Sequence, residues 1–575
     1  MSVHNEDIAI IFEEIADLLE IEEANPFRVR AYRNAARTIR GLSRELRDLI
    51  AEGKDLTGLP GIGKDLAGKI QEILDTGHTK ALDKLHKEIP ASVEDMLKLP
   101  GLGPKRVKQL YHEMDIHNLE QLEHAARSGE LRSFPGFGSK TEQNILDNIH
   151  ALRSKEKRFL RNIAAGYAEP LLEYLKKNRA VKQAVIAGSY RRGRESVGDL
   201  DILVTATDAR RVMKHFTDYE EVGQIVSRGE TRATVILHCG LQVDLRVVEE
   251  KSFGSALYYF TGSKAHNIRI RRLAQQRGLK INEYGVYKKN KRIAGDTETS
   301  VSKSVGLPLI PPELREDRGE IRAALNRQLP SLIQDGDIRG DLHAHTLATD
   351  GRATIKAMAR TARESGLEYL AITDHSRHLT VAHGLGPDQV LKQIDEIDEL
   401  NAKLKGITLL KGTEVDILED GTLDLPDDIL ARLDLVVAAV HSQFKLSRKK
   451  QTERVLRAMD SRCFSILAHP SGRLLFERDA YDIDLEKIID KAAERGCFME
   501  LNSQPLRLDL TDIYCQLAAS KGVLISINSD AHSENDFQYL KLGIAQARRG
   551  WLEKKDVLNS RPLKSLKRLL RRTMA

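Results

Sequence analysis

Seven short apolar runs end within the segment from Asp341 to His532, and each run finishes with a side chain that can bind a metal ion. Runs of this length, separated by helical segments, are typical of buried parallel strands, which present reactive groups at their carboxyl ends. The runs are DIRGDLHAH, EYLAITDH, ITLLKGTEVD, LDLVVAAVH, CFSILAH, CFMELN and GVLISINSDAH. The series predicts a parallel barrel with its chemistry on one rim.

The predicted rim combines imidazole and carboxylate groups and contains no thiolate. The candidate ligands are His343, His345, Asp350, His375, Glu414, His441, His469, Asp530 and His532. Such a set suits manganese, zinc or iron. Clustered ions lower the pKa of bound water and neutralise a phosphodiester, so the rim predicts phosphate-ester hydrolysis. A structural remnant of such a site is the alternative interpretation.

The first 150 residues contain a repeated turn. LPGIGK, LPGLGPK and FPGFGSK recur between helical patterns, and each copy ends in a lysine. Proline and glycine shape such a turn, and its amides at a helix amino terminus can hold a phosphate. A single copy would indicate an ordinary helix–helix turn, whereas three copies favour phosphate binding. The repeat resembles the helix-hairpin-helix motif, which implies binding of the DNA backbone. The predicted DNA-binding glycines are Gly61, Gly63, Gly101, Gly103, Gly136 and Gly138.

A second catalytic pattern occupies the middle of the chain. In QAVIAGSYRRGRESVGDLDILVTA, Asp199 and Asp201 are two residues apart on a predicted strand and project from one face. TRATVILH and LQVDLRVV predict a hairpin that carries Asp244. Three carboxylates on neighbouring strands suit two divalent ions in nucleotidyl transfer. Ser189 and Arg192 are placed to contact phosphate oxygens.

Composition limits the class of protein. The length of 575 residues predicts three to five domains. No apolar run approaches the roughly 20 residues that cross a bilayer, and the acidic amino terminus is unlike a secretory signal. The four cysteines lack CxxC spacing and indicate core thiols, which predicts a cytoplasmic protein. The net charge of +6 is modest, and local basic clusters are either solvated faces or surfaces that steer a polyanion.

GSYRRGRESVGDLDILV and the later YYFTGSKAHNIRIRRLAQQRGLKINEYGVY resemble DNA polymerase family X. The hairpins of the first 150 residues fit the same family, and the rim resembles the PHP (polymerase and histidinol phosphatase) domain. The combination resembles bacterial or archaeal family X polymerases over nearly the whole chain. The resemblance implies a multidomain α and α/β protein with a helix-hairpin-helix amino terminus, an α+β nucleotidyltransferase palm, a small thumb and a distorted seven-stranded (βα)7 PHP barrel.

The resemblance also implies domain boundaries. It places a lyase-like helical domain with the first hairpin at 1–85, a fingers-like helical domain with two hairpins at 86–150, the palm at 151–250, the thumb at 251–315, a linker at 316–336 and the PHP domain at 337–575.

Roles for individual residues in the polymerase half follow from the resemblance alone. Asp199, Asp201 and Asp244 match the palm carboxylates, which bind two Mg²⁺ or Mn²⁺ ions. Lys69 matches the Schiff-base lysine of a 5′-deoxyribose-phosphate lyase; a surface lysine is the alternative. The nucleotide and nascent-pair contacts match Ser189, Arg192, Gly198, Tyr259, Phe260, Gly262, Asn267 and Arg271.

In the PHP half the resemblance implies up to three Mn²⁺ or Zn²⁺ ions. It assigns His343, His345, Glu414 and Asp530 to one ion, Glu414 with His441 and His469 to a second, and Asp350, His375 and His532 to a third. Arg377 and Arg507 are candidates for substrate phosphate contacts, with surface salt bridges as the equal alternative.

The chain departs from the family pattern at two positions. Lys264 stands where relatives often carry an acidic residue beside the incoming base, which bears on nucleotide affinity and fidelity. Asp65 stands where lyase-competent relatives have a phosphate-contacting lysine, which weakens the expectation of lyase activity. The third hairpin, at Phe134–Lys140, adds a phosphate contact beyond the two usual in animal relatives.

The function implied is a DNA repair enzyme that fills short gaps with dNTPs and cleans DNA ends. The PHP half would act as a 3′–5′ exonuclease, abasic-site endonuclease or 3′-phosphatase. The expected partner is gapped or primer–template DNA with 5′-phosphate or abasic ends. We further expect a cytoplasmic monomer that associates with the nucleoid when bound to DNA and contacts no membrane. Two alternatives stay open: a DNA-binding phosphoesterase scaffold with a decayed polymerase half, and a nucleotidyltransferase acting on another substrate.

Overall fold

The computed structural model describes residues 5–40, 42, 46–51, 53–97, 99, 102–134, 136–155 and 158–574. The chain divides into two compact units, Met1–Lys157 and Arg158–Ala575. Among the described residues, no helix combines the length and the apolar character needed to span a bilayer.

The first unit is helical in its described parts. Its helices are α1 (Asn5–Ile21), α2 (Pro26–Arg40), α3 (Leu46–Ala51), α4 (Lys64–Thr76), α5 (Lys80–Glu88), α6 (Ala91–Leu97), α7 (Pro104–Glu113), α8 (Leu119–Ser128) and α9 (Ser139–Lys155). Apolar residues at helical spacing bury one face of each amphipathic helix. Phe12 and Tyr32, for example, pack edge to face with ring centroids 5.4 Å apart. The predicted helix-hairpin-helix amino terminus is confirmed.

The second unit begins with the palm. Its elements are β1 (Phe159–Leu160), α10 (Arg161–Lys176), β2 (Val181–Ile186), α11 (Gly188–Arg191), β3 (Ser196–Val197), β4 (Asp199–Ala206), α12 (Ala209–Thr217), β5 (Val222–Arg228), β6 (Arg232–Leu237) and β7 (Gln242–Val247). The five-stranded sheet has the order β2-β4-β7-β6-β5. β4 and β7 are parallel, and the predicted hairpin of β6 and β7 is present.

The thumb follows the palm directly. Its elements are α13 (Phe253–Thr261), α14 (Lys264–Gln276), β8 (Leu279–Asn282), β9 (Gly285–Lys288), β10 (Lys291–Ala294) and α15 (Glu298–Ser304). The segment 316–336, which the sequence predicts to be a linker, contains α16 (Glu320–Leu325). Ile321 and Ala324 of that helix are buried in the thumb core. Its sequence is charged because only one face of a short helix packs against the thumb.

The PHP part is a parallel barrel surrounded by helices. Its strands are β11 (Gly340–Asp341), β12 (Tyr369–Ile372), β13 (Thr408–Lys411), β14 (Glu414–Asp416), β15 (Val437–Ala439), β16 (Ile466–Leu467), β17 (Phe498–Asn502) and β18 (Ile525–Asn528). β13 and β14 are consecutive parts of one strand that is interrupted at Gly412 and Thr413. The eight short strands therefore occupy seven positions in the barrel. A bridge between Ala344 and Ala531 joins the first strand position to the last. The predicted seven-stranded barrel is confirmed.

Helices cover the barrel, and the carboxyl-terminal segment closes its lower end. The helices are α17 (Ile355–Glu364), α18 (Pro387–Lys403), α19 (Asp427–Leu430), α20 (Arg448–Met459), α21 (Leu485–Arg495), α22 (Asp512–Ser520), α23 (Leu540–Arg549) and α24 (Leu563–Leu570). Leu566 and Leu570 of α24 pack against the interior residues of the strands. The Tyr369 hydroxyl, at the amino end of β12, donates to the carbonyl of Asn559 at 3.0 Å. The opposite rim, at the carboxyl ends, remains open for chemistry.

Candidate active sites and nucleic-acid interface

The three turns of the first unit share one backbone hydrogen bond among the described residues. In each, an apolar residue between the two glycines donates its amide to an apolar residue three positions earlier, at 3.1 Å: Ile62 to Leu59, Leu102 to Leu99 and Phe137 to Phe134. Gly63 and Gly103 are the N-caps of α4 and α7, with no side chain over the helix amides. This arrangement leaves helix amino termini available to a phosphate.

Glycine is required at two of these turns by backbone conformation. Gly61 has φ +77° and Gly136 has φ +90°, which side chains disfavour. Gly63, Gly103 and Gly138 are exposed. Gly101 lies outside the described residues.

Lys69 lies on α4, where Asp65 forms an ion pair with it one turn earlier. The Lys69 side chain is 17% exposed, and its ammonium lies 6.0 Å from the centroid of the Tyr32 ring. The aspartate that departs from the family pattern therefore holds the lysine expected to be the nucleophile.

The palm carboxylates meet at the paired strands β4 and β7. Asp201 stands directly opposite Asp244 in the parallel register, and Asp199 begins β4. Thr234 donates to Asp244 Oδ1 at 2.5 Å and Gln242 donates to Oδ2 at 2.8 Å, which fixes that carboxylate. The three carboxylates do not form a group with all ligand atoms within 4.8 Å of one another among the described residues.

The electrostatics of the trio are unfavourable without cations. Burial, together with the charges of Asp199 and Asp244, raises the pKa of Asp201 to about 7, although Arg246 and Arg192 oppose the shift. Like charges held this closely are costly unless cations lie between them. The residues therefore fit a site for divalent ions.

This pKa leads to a stability prediction for the metal-free protein. A folded pKa above the unfolded one stabilises the fold at low pH, and that contribution is lost as the pH rises from about 4 towards 7. Asp201→Asn mimics the protonated acid and should raise the unfolding free energy at about pH 8 by a few kcal/mol. Denaturant unfolding in chelator at about pH 5 and pH 8 measures the effect. Glu230→Gln, at an exposed palm carboxylate, should change little at either pH, and equal behaviour of the two variants would contradict the prediction.

The turn before α11 approaches Asp201 closely. Gly188 has φ +61°, and a Cβ at this position would lie 2.4 Å from Asp201 Oδ2. Gly188→Ala should displace that carboxylate and reduce primer extension by about tenfold or more, with PHP hydrolysis unchanged. Gly193→Ala is the matched control: its φ is +71°, but its Cβ would be in ordinary contact with Ala545 at 3.5 Å. Steady-state extension assays should separate the two variants, and equal losses would contradict the prediction.

Arg192, a candidate triphosphate contact, is engaged in ion pairs. Its Nε lies 3.0 Å from Glu316 Oε1, and Arg549 of the PHP helix α23 lies 2.8 Å from the same oxygen. Arg192 also donates to the carbonyl of Thr261 at 2.9 Å. A triphosphate would therefore compete with Glu316 for this guanidinium. Ser189 lies on the same turn, half-buried, and Gly198 immediately precedes β4.

The expected sugar-contacting segment forms the junction of α13 and α14. Asn267 donates to the carbonyls of Tyr259 at 2.7 Å and Gly262 at 3.0 Å, so its amide holds this junction together. A Cβ at Gly262 would lie 2.7 Å from Asn267 Oδ1. The guanidinium of Arg246 lies 4.5 Å from the Phe260 ring centroid, which links the junction to the palm. Lys264 and Arg271 are exposed along α14.

The nine predicted ligands of the PHP rim converge. Three groups have ligand atoms within 4.8 Å of one another: His345, Asp350, His375 and His532; His343, His345 and Asp530; and His375, Glu414 and His441. His469 lies outside these groups, but its Nε2 is 2.9 Å from Glu414 Oε1. The grouping differs from that implied by the resemblance at His375, which adjoins both Asp350 and Glu414.

Several ring nitrogens at the rim are suited to cations. Nε2 of His343 and both ring nitrogens of His345 are buried and make no hydrogen bond within the described residues. Burial, with His532 and His375 beside it, lowers the pKa of His345 to about 4, so this imidazole stays neutral. A neutral imidazole such as that of His345, beside ionised carboxylates, is the form that binds a metal ion, whereas the carboxylates around His343 raise the pKa of that imidazole in the absence of metal.

Glu500 and Asp416 are functional candidates that the sequence analysis missed. Glu500 is buried and lies 2.7 Å from His343 Nδ1, and its other oxygen accepts the amide of His469 at 2.8 Å. Asp416 lies 3.0 Å from His441 Nδ1. Carboxylates in these places orient ligand imidazoles. The signal was present in CFMELN and GTEVD, as an acidic residue within an apolar run.

Glu500→Gln should weaken metal binding and hydrolysis at the rim by about 10- to 100-fold, because His343 loses its charged partner. Primer extension should not change. Metal titration with hydrolysis assays measures both effects, and Glu494→Gln, on the exposed face of α21, is the matched control. Full activity at limiting manganese would contradict this role.

The two arginine candidates near the rim differ in position. Arg507 lies 3.7 Å from Asp530 and lines the rim cavity. Arg377 instead lies 3.5 Å from Asp424 and is more exposed.

Family models match successive parts of the chain. The Helix-hairpin-helix domain matches 3–79, the SAM-like Helix-hairpin-helix tandem 93–151, the DNA polymerase beta palm 164–255, the DNA polymerase beta thumb 256–316 and the PHP domain 341–504. The DNA polymerase/3′-5′ exonuclease PolX of Bacillus subtilis (strain 168) is 38% identical over 577 residues, which cover 99% of this chain and 100% of the relative.

The chain belongs to the PolX family. PolX proteins are family X DNA polymerases that carry a PHP domain, and the motifs of this chain predict that combination. Other relatives match only part of the chain. A "Probable phosphatase" of Thermoanaerobacter sp. (strain X514) is 34% identical over 34% of this chain and 80% of its own. The DNA polymerase lambda of Rattus norvegicus is 27% identical over 46% of this chain and 49% of its own.

Proposed function

We propose that the chain extends DNA 3′ ends at the palm and hydrolyses DNA 3′ ends at the PHP rim. The observation that carries the proposal is the presence of two sets of candidate ligands, the palm carboxylates on β4 and β7 and the clustered groups of the PHP rim, in a chain similar to a PolX polymerase/exonuclease over its full length. Family X polymerases and PHP domains use divalent metal ions, and the helix-hairpin-helix and polymerase parts bind DNA and dNTPs.

At the palm, Asp199, Asp201 and Asp244 would bind two Mg²⁺ or Mn²⁺ ions. Bound ions of this kind lower the pKa of a 3′-hydroxyl and stabilise the pyrophosphate leaving group. Ser189, Arg192 and Gly198 would contact the triphosphate, and Arg192 would exchange Glu316 for phosphate oxygens. Tyr259, Phe260 and Gly262 would lie against the sugar, while Asn267 supports that junction and Arg271 reaches the duplex.

At the PHP rim, the nine ligands would hold up to three Mn²⁺ or Zn²⁺ ions. Such ions would lower the pKa of a water molecule and neutralise the charge of a phosphodiester. Glu500 and Asp416 would hold the imidazoles of His343 and His441 in the ligand orientation. The products follow from the DNA end presented: a nucleotide from a 3′ end, phosphate from a 3′-phosphate, or a cut at an abasic site.

Gap filling in DNA repair follows from joining these activities, because a blocked or mismatched 3′ end must be removed before extension. The hairpin glycines would grip the backbone on both sides of a gap. Lyase activity at Lys69 needs the lysine released from Asp65. Borohydride trapping of an abasic 5′ end should give little adduct in the wild type and more in Asp65→Asn; equal trapping would show that Asp65 does not restrain Lys69.

Primer extension and degradation on 5′-phosphorylated gapped DNA test the proposal. Wild type, Asp201→Ala and His343→Ala should be compared with Mg²⁺ and Mn²⁺ supplied separately. Loss of extension in the first variant and of degradation in the second is expected. A wild type that degrades but never extends would favour the phosphoesterase scaffold, and absence of gapped-DNA binding at low salt would favour another nucleotidyl acceptor.

A further inference from the structure

A large cleft separates the palm from the PHP barrel within the second unit. Its volume is about 940 Å³, near the upper end of the roughly 300–1,000 Å³ typical of ligand sites. One wall is the palm helix α10 with Tyr190 beside it, and the other is the PHP helix α23. The proposed polymerase and hydrolase chemistry leaves this cleft without a role.

Basic groups line the interior of the cleft. Arg161, Lys541 and Arg548 face it, and the guanidinium of Arg161 lies 5.3 Å from the centroid of the Tyr190 ring. Nε of Arg161 is buried and makes no hydrogen bond within the described residues. A buried donor of this kind is costly unless a ligand or ordered water satisfies it.

Three acidic residues, Glu169, Glu313 and Asp335, also line the cleft and balance its formal charge, but none forms an ion pair with Arg161 or Lys541 among the described residues. Glu313 is paired with Arg548, with 2.7 Å between Oε1 and Nε. Glu169 and Asp335 are exposed on the solvent side. An anionic ligand would therefore meet unpaired positive charge at Arg161 and Lys541.

The cleft continues into the metal rim. A second cavity of about 470 Å³ is lined by Asp350, Asp530 and His532 of the rim, together with Arg352 and Arg507. Tyr539 lines both cavities and so stands at their junction. A path with basic walls and an aromatic ring thus leads from the palm to the candidate metal ligands.

We propose that this cleft binds the unpaired 3′-terminal strand of DNA, whose last phosphodiester lies at the PHP rim and whose backbone runs past Arg161 and Lys541. Basic grooves with interleaved aromatic rings are the usual solution for single strands, since every base can stack and every phosphate carries charge. Tyr539 stacks on a base next to the scissile nucleotide. This inference rests on hydrolysis at the rim, the second half of the proposed function.

The test compares a long and a short substrate in the full-length protein with manganese. A single-stranded oligo(dT) with a 5′ fluorophore occupies the cleft, whereas p-nitrophenyl thymidine 5′-phosphate needs only the rim. In Arg161→Gln/Lys541→Gln, KM for the oligonucleotide should rise about tenfold, and its logarithmic salt dependence should fall by about 0.7 for each lost phosphate contact. Cleavage of the small ester should keep its wild-type kcat and KM.

Tyr539 supplies an independent variant. Tyr539→Leu should raise KM for the oligonucleotide about tenfold through lost stacking, and Tyr539→Phe, which keeps the ring, should restore it. Lys176→Gln removes a positive charge at the far end of α10 and serves as the matched control.

The outcomes separate the inference from the proposed function. A wild type that cleaves neither substrate would refute hydrolysis at the rim itself. Unchanged KM for the oligonucleotide in both sets of variants would overturn the cleft alone. Parallel losses on the small ester would also overturn it, because the residues would then support the rim rather than bind a strand. Thymidine 5′-monophosphate inhibition that weakens in the variants without any change in oligonucleotide KM would identify a product site and overturn the strand path.

Discussion

Asp201→Ala is expected to lower primer extension by about a thousandfold or more while degradation of a 3′ end proceeds at the wild-type rate. Asp201 lies beside Asp244 on adjacent parallel strands, and its pKa is raised to about 7 by burial and by its two acidic neighbours. A carboxylate in this position contributes several kcal/mol to binding the ions and the charge that develops in the reaction. The PHP rim is built from other strands and loses no ligand.

Single-turnover extension of a gapped duplex, with degradation of the same primer measured in parallel without dNTPs, provides the comparison. Glu230→Gln is the matched control, because Glu230 is an exposed palm carboxylate paired with Arg210 at 2.7 Å. Primer extension by Asp201→Ala at the wild-type rate would show that Asp201 is not a catalytic carboxylate of the palm. Loss of both activities would instead indicate that the variant disturbs the shared fold of the second unit.

The barrel could be predicted from the sequence because each of its strands is indicated by residues that are adjacent in the chain. Each apolar run reports a buried strand, and each terminal histidine or carboxylate reports the end of that strand. Hence the candidate ligands could be predicted one at a time. Their grouping could not, since a backbone bridge brings His375 beside Glu414 at β14, while a separate side-chain contact of 3.4 Å brings it to Asp350.

The roles of Glu500 and of the segment 316–336 could not be predicted from neighbouring residues in the chain. In CFMELN the glutamate resembles any acidic interruption of a strand, and its role depends on His343, 157 residues away. The helix α16 is charged and follows prolines in the sequence, and both features are typical of a linker. Its place in the thumb depends on Glu320, which forms a buried pair with His266 at 2.6 Å. Partners distant in the chain decide both cases, so no pattern within either segment reveals them.

The contacts between the palm and the PHP part could not be predicted from the sequence either. Glu195, in the turn that carries the candidate triphosphate contacts, forms an ion pair with Arg473 of the barrel at 2.6 Å. Arg473 also donates to the carbonyl of Arg507 at 3.0 Å. These bonds fix the palm turn against the loop that places Arg507 beside Asp530, which makes the intervening cleft a defined surface.

Glu414→Gln is expected to reduce hydrolysis of 3′ ends about a thousandfold and to leave primer extension intact. Glu414 is buried, and its two oxygens lie 2.8 Å from His375, 2.9 Å from His469 and 3.4 Å from His441. Burial opposes ionisation, but the charges of His375, His441 and His343 hold the pKa of Glu414 well below its usual value. An amide keeps the shape of the side chain and removes the negative charge that would help to hold the ions.

Elemental analysis of the dialysed protein, together with hydrolysis of p-nitrophenyl thymidine 5′-phosphate across a manganese titration, measures this effect. Metal content should fall and saturating manganese should restore little activity, because the buried negative charge that would hold the ions is lost. Glu419→Gln, at an exposed position five residues along the same segment, should behave as the wild type. Full metal content with full hydrolysis in Glu414→Gln would show that the rim acts without this carboxylate, and the assignment of the shared ligand would then fail.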